Sequence, residues 1–176
     1  MLISVKKMIV VLLVTVPSMA QTNFRMEKGS VIWEHTLPIG TNMKAIIDSQ
    51  AKLTISAFDD TSYRGKADAV KNTTDANSVR LKCDASFDFI VTMTPEGYKV
   101  KVTNFMFVEK YGPMQLRIVP GSLEKYYVEY GKIRNSPKTQ TDLSYVDSFL
   151  TGVFTIQAPA QEVAQGSQQN IAQTAK

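Results

Sequence analysis

VRLKCDASFDFIVTMTPEGYKVKVTNFMFV, residues 79–108 of a 176-residue chain, carries the pattern that decides the architecture. Val79, Leu81, Cys83, Ala85, Phe87, Phe89, Val91 and Met93 alternate with Arg80, Lys82, Asp84, Ser86, Asp88, Thr92 and Thr94, and a period of two is that of a strand with one apolar face. At ~3.3 Å per residue this strand is longer than most, so a bend or break is predicted near Asp84, Ala85 and Ser86. Thr94, Pro95, Glu96 and Gly97 then make a turn, with Pro95 fixing φ and Gly97 free to take a positive one. A four-residue loop sets Met93 opposite Tyr98, Val91 opposite Val100 and Phe89 opposite Val102, all apolar. It leaves Thr92 with Lys99, Ile90 with Lys101 and Asp88 with Thr103 on the other face. A three-residue loop turns Tyr98, Val100 and Val102 to the polar face, as one-residue slips do. The hairpin is therefore antiparallel, buried on one side and wet on the other.

Working outward, Val31 to Thr36 follows Gly29 and Ser30 and reads as a first strand, ended by Pro38 and Gly40. Thr41 is placed as an N-cap, and Met43, Ile46, Ile47 and Leu53 fall near helical spacing, predicting an amphipathic helix from Thr41 to Ile55. The polar stretch from Asp59 to Ser78 reads as mostly loop, with a short edge strand at Tyr63 to Ala67. Met114 to Val119 fits a strand or a loop, ended by Pro120 and Gly121. A second helix is predicted to start at Thr141 or Asp142, because Leu143, Val146, Phe149, Leu150, Val153 and Ile156 recur at three- and four-residue steps. That stripe is expected to cover the apolar face of the sheet. The class is α+β.

The two ends read differently. Lys6 and Lys7, the apolar run from Met8 to Val16, and Pro17 to Ala20 have the order of a cleavable export signal. The apolar run is about half the ~20 residues needed to span a bilayer, and no cysteine follows it for lipid attachment. The expected organisation is a signal over residues 1–20, one α+β domain over 21–156, and a Gln/Ala-rich tail over 157–176 that is expected to be disordered. The protein is expected to be periplasmic or secreted, with no transmembrane segment after cleavage. Cleavage removes two of 20 basic residues and none of the 16 acids, taking the net charge from +4 to +2, and with it the main support for nucleic-acid binding.

One cysteine forms no internal disulfide, and one histidine with one cysteine makes no four-ligand zinc site. Cys83 falls among inward-facing strand positions as a small apolar filler, and His35 reads as a polar strand residue. Asp59 with Asp60, and Asp84 with Asp88, lack the spaced ligands and glycine of a calcium loop. No phosphate-cradling loop, nucleophile elbow or metalloprotease helix is present, so no cofactor is predicted. What remains is basic and aromatic. Lys99 to Lys138 holds eight basic residues against three acids, either a patch for an anionic partner or a solvated face. Tyr126, Tyr127 and Tyr130 are either a stacking platform or packing over the sheet end.

Several of these segments resemble a known family. Residues 31–34 in the first strand, Phe87 to Met93, the Glu96-Gly97-Tyr98 turn and the following run to Phe105, then a last amphipathic helix, are similar to the domain of unknown function 4468 family, exported bacterial proteins with a TBP-like fold. The resemblance covers roughly residues 31–156. It implies a curved antiparallel sheet with helices packed on one face, and implies neither a reaction nor a ligand. The expected function is a non-enzymatic binding or interaction module of the cell envelope. Its contact residues are Lys99, Lys101 and Phe105 on the exposed sheet face, or Tyr126, Tyr127 and Tyr130. The partner is a glycan, a lipid headgroup or another envelope protein, and not a nucleic acid. The alternative is an enzyme of unrecognised class with acid/base carboxylates in a cleft.

Overall fold

The computed structural model describes residues 23–72, 78–112, 114 and 117–155; the expected export signal over residues 1–20 and the expected tail over 157–176 lie outside them. The central hairpin pairs β5 (Asp84–Thr94) with β6 (Gly97–Tyr111). Met93 lies opposite Tyr98, Val91 opposite Val100 and Phe89 opposite Val102, the register expected from the side chains. The strand begins later than its alternation suggests. Arg80–Lys82 form a 3-10 turn, with Leu81 buried and Val79 exposed, so the expected break falls at Cys83.

Around this hairpin the antiparallel sheet runs β1 (Phe24–Glu27), β2 (Ser30–Pro38), β6, β5, β4 (Ser62–Val70) and β3 (Leu53–Phe58). A seventh strand, β7 (Arg117–Ser122), pairs with Met106 to Tyr111 of β6, beyond the part that β2 occupies. Pro120 and Gly121 lie inside β7 instead of ending it. An edge position tolerates a proline, whose missing N–H faces no neighbour.

The helix expected over residues 41–55 is shorter, α1 (Met43–Asp48), and its N-cap is Asn42, whose side chain accepts from the Ala45 N–H at 3.0 Å. Thr54 and Ile55 are β-branched and suit a pleat better than a helix; they belong to β3, where Leu53 opposite Ala67 supplies the core position. The short edge strand expected at Tyr63 to Ala67 within the 59–78 loop is longer and interior: β4 has nine residues and lies between β5 and β3. Its buried positions are small until the last: Ser62, Gly65 and Ala67, then Val70. A Cβ on Gly65 would sit 2.4 Å from the Phe89 ring, so the ring fills the space that a larger β4 residue would need.

Two extra residues beside β5 curve the middle of the sheet. In β6 the pairing steps from Asp88↔Thr103 to Ser86↔Met106, leaving Asn104 unpaired at φ 52°. In β4 it steps from Ala67↔Phe87 to Val70↔Ala85, with Ala69 at φ 47° and its N–H donating to Ser86 Oγ. Such bulges flank β5 on both sides and raise its local twist. Asn104 tolerates the left-handed backbone better than most residues, and its amide donates to Asp88 Oδ2 at 2.7 Å. The bulge also changes the parity of β6. Val100 and Val102 face the core before it, and Phe105 and Phe107 after it. Phe105 is thus 2 % exposed, stacked 5.9 Å from Phe87 and edge-on to Phe149; it does not share the exposed face with Lys99 and Lys101.

The roof is α3 (Pro137–Thr155), which starts a turn earlier than expected. Ser136 accepts from the Thr139 N–H and Pro137 takes the first helical position, where its absent N–H costs nothing. Leu143, Val146, Phe149, Leu150 and Val153 are buried, as the stripe predicts, together with Phe154; Ile156 lies outside the described residues. Short α2 (Leu123–Tyr127) closes the β7 end, and a small hairpin, β8 (Val128–Glu129) with β9 (Lys132–Ile133), turns at Tyr130 and Gly131.

Trp33 ties α3 to the sheet. Its indole N–H donates to Asp147 Oδ1 at 2.6 Å, and Asn23 donates to the same oxygen at 2.8 Å while its amide nitrogen lies 3.3 Å from His35 Nδ1. Asp147→Ala strands a donor on a side chain that is 1 % exposed, so urea unfolding is expected to lose about 1–3 kcal/mol, with Asp147→Asn losing less because it keeps an acceptor.

Candidate interaction surface

Each predicted contact residue has a definite place. Lys99 and Lys101 stand on the wet face, as expected, but within a ladder of ion pairs. Lys101 donates to both oxygens of Glu27 at 2.9 and 3.0 Å, Lys99 lies 3.4 Å from Glu34, and Arg25 bridges Glu27 and Glu34 at 3.2 and 2.8 Å. Lys101 holds the Glu27 carboxyl below its usual range. The ladder ties β1, β2 and β6 together and, with three cations against two carboxylates, leaves this part of the face with a single net positive charge.

The three tyrosines do not assemble into one platform. Tyr127 is 3 % exposed, Tyr126 is half-buried, and Tyr130 projects from the β8–β9 turn at 96 % exposure. The Tyr127 hydroxyl donates to Asp142 Oδ2 at 3.3 Å, an oxygen that Lys138 also reaches at 2.9 Å. Burial first, and then the Asp142 charge, push the Tyr127 hydroxyl up to about 12. Its proton is lost near pH 10 in the unfolded chain and near 12 in the folded one, so its contribution is complete below pH 10 and disappears between 10 and 12. The drop in urea stability from pH 9 to 12 is therefore expected to be roughly 2–3 kcal/mol smaller in Tyr127→Phe than in the native chain.

Cys83 occupies no inward strand position. It follows the 3-10 turn, half-exposed, with its thiol 3.5 Å from the Val79 carbonyl. Burial, followed by Glu109, raises its pKa. His35 pairs with Val100 of β6, and Val100 with Val91 of β5; the eight residues from Val91 to Cys83 span roughly 25 Å of strand. A Cys–His pair is not formed. Asp59 caps the β3–β4 turn, accepting from the side chain and N–H of both Ser62 and Thr61, and these bonds hold its pKa at about 2. Among the described residues no three His, Cys, Asp or Glu side chains gather as metal ligands.

The concavities carry little acid/base chemistry. A groove of about 600 Å³ beside Leu37, Ile39 and Ile46 is lined by no titratable side chain. Smaller clefts of about 190, 260 and 280 Å³ each hold one carboxylate with a basic neighbour: Glu109 with Arg80, Asp142 with Lys138, Asp84 with Lys110.

The outer end of β6 and β7 is different. Phe107 is covered by the Tyr126 ring, and beyond it Glu109 accepts from the hydroxyls of Tyr111 and Tyr126, which hold its carboxyl below the usual range. The Arg80 guanidinium lies over the Tyr126 ring, 3.5 Å from its centroid, and 3.7 Å from Glu109. Lys125 approaches the same ring at 5.1 Å. This sandwich gives the tip a rigid base. Past it, Val79, Tyr111, Met114 and Ile118 are 84, 49, 89 and 62 % exposed. Val79 and Tyr111 line one cleft, while Ile118 pairs with Lys110 and so lies on the opposite face from Tyr111. Sequence reasoning passed over them because isolated apolar residues in a short segment have no period; only pairing β6 with β7 and folding the 3-10 turn brings them to one end of the sheet.

Fold and surface define an open-faced α+β protein, an antiparallel sheet roofed on one side by helices, with an apolar and basic tip at one end. No family model and no curated protein matches the chain. It is similar to the solved structure of a TBP-like protein from Parabacteroides distasonis ATCC 8503, with 12% identity, a TM-score of 0.45, and coverage of 74% of this chain and 94% of that one. It is also similar to a DUF4468 family protein from Bacteroides ovatus ATCC 8483, with 14% identity, a TM-score of 0.41, and coverage of 77% and 92%. These two descriptions are the ones the sequence resemblance named, and neither states a ligand or a reaction. No described helix is long and apolar enough to cross a membrane.

Proposed function

We propose that this chain is an exported, non-enzymatic binding module of the cell envelope, and that the β6–β7 tip is its contact surface. Export rests on the signal read in residues 1–20. The observation that carries the binding reading is the exposure of Val79, Tyr111, Met114 and Ile118 at one end of the sheet, on both of its faces, since large exposed apolar groups concentrated at one end mark interaction sites. The clefts support it from the other side, each pairing its carboxylate with a cation in place of a second carboxylate. Lys99 and Lys101, balanced by Glu34 and Glu27, give way to the tip as the contact residues. Incubated with envelope fractions of its own cell, the chain beginning at Gln21 is expected to sediment with them, and Met114→Asp with Ile118→Asp to remain in the supernatant. Equal sedimentation of native and doubly substituted chains contradicts the reading.

A further inference from the structure

The charge around the tip identifies a kind of partner. Arg80, Lys82, Lys110, Arg117 and Lys125 lie at or beside it: Lys82 and Lys110 line the cleft that Val79 borders, Arg117 pairs with Tyr111, and Lys125 faces Tyr126. Against them stand Asp84, 2.9 Å from Lys110, and Glu109, enclosed by two tyrosines and Arg80. The neighbouring acid Glu124 is turned away and accepts from the Val31 N–H at 2.7 Å. Five cations against two carboxylates leave this end with more positive charge than the +2 of the whole exported chain.

We infer that the β6–β7 tip docks on an anionic membrane surface, with Met114 and Ile118 entering the headgroup region and the surrounding cations facing lipid phosphates. The inference rests on the proposed binding role of the tip and names its partner. Apolar side chains supply the inserted area and basic ones the attraction, and stable peripheral binding takes both. Each basic residue near an anionic surface gains about fivefold in affinity, so the three net charges give on the order of a hundredfold preference for anionic over zwitterionic bilayers. The ladder on the wet sheet face offers less, because Arg25, Lys99 and Lys101 stand against Glu27 and Glu34, one net charge where the tip has three.

The test is sedimentation of the chain beginning at Gln21 with vesicles of phosphatidylglycerol mixed equally with phosphatidylcholine, and with phosphatidylcholine alone. Binding is expected to the first, about a hundredfold weaker to the second, and to fall at high salt, where surface charges are screened. Met114→Asp with Ile118→Asp is expected to cut binding at least tenfold, and Lys82→Glu with Arg117→Glu to abolish the lipid preference, each with an unchanged thermal melt. No binding, equal binding to both vesicles, or native-like binding by the doubly substituted chains overturns the inference. Retention by envelope fractions that depends on Met114 and Ile118, without vesicle binding, overturns the lipid partner and leaves the broader binding role standing. Failure of both overturns both. Retention lost after protease treatment of the envelope identifies a protein partner instead.

Discussion

Phe154→Ala is expected to lower the urea unfolding free energy by about 3–5 kcal/mol, against the roughly 5–15 kcal/mol that holds a typical domain together. Phe154 lies in the last turn of α3, is 0 % exposed, and has ring centroids of Phe89, Phe87 and Trp33 at 5.6, 6.3 and 6.3 Å. These residues come from two strands, β5 and β2, which lie either side of β6, so one ring holds the helix to the middle of the sheet. Truncation removes the buried area and opens a cavity that flat aromatic neighbours cannot readily collapse into. Phe154→Leu, which keeps most of the volume, is expected to cost roughly 1–2 kcal/mol. A Phe154→Ala protein that melts with the native one contradicts the packing described.

Gly97→Ala is the second large effect. Gly97 ends the β5–β6 turn at φ 142°, a backbone region that side chains rarely adopt, and a Cβ there would lie 2.0 Å from the Leu37 carbonyl oxygen of β2. Strain at the residue adds to a clash with backbone, which yields only if β2 separates from β6. A loss of about 3 kcal/mol or more is expected. Glu96→Ala, at an exposed position of the same turn, is expected to be neutral within about 0.5 kcal/mol. Equal midpoints for the two variants in urea would show that the turn does not press against β2.

The hairpin was legible because nothing competed with its alternation, and the side chains fixed its register. Phe105 was not, because counting by twos through Asn104 places it beside Lys99 and Lys101. The clue lay in the spacing: Val100 and Val102 are two apart, Phe105 comes three later, and the intervening Asn104 is a residue that accepts a left-handed backbone. β4 was read only as a short edge strand at Tyr63 to Ala67, and its inner place was missed for the opposite reason, since most of its core positions hold Ser62, Gly65 and Ala67 to make room for Phe89. Helix and strand periods both fitted Leu53, and the β-branching of Thr54 and Ile55 was the better guide. Ser136 and Pro137 are a helix-start signature outweighed by the apolar stripe that follows. Of the contact residues, Lys99 and Lys101 were placed on the correct face, yet the ion pair of Lys101 with Glu27, and the Arg25 bridge beside it, depend on β1, which the sequence did not reveal. The tip exists only after β7 pairs with β6.

The account depends on the bulge at Asn104, which lets a strand wetted by Lys99 and Lys101 drive Phe105 and Phe107 into the helix-covered side. Proton–proton NOEs from the Phe105 ring test it most directly. Cross-peaks to Phe149 and Phe87 are expected, since the ring centroids lie 6.5 and 5.9 Å away. A Phe105 ring with cross-peaks to the Lys101 and Thr103 side chains and none to Phe149 would contradict it.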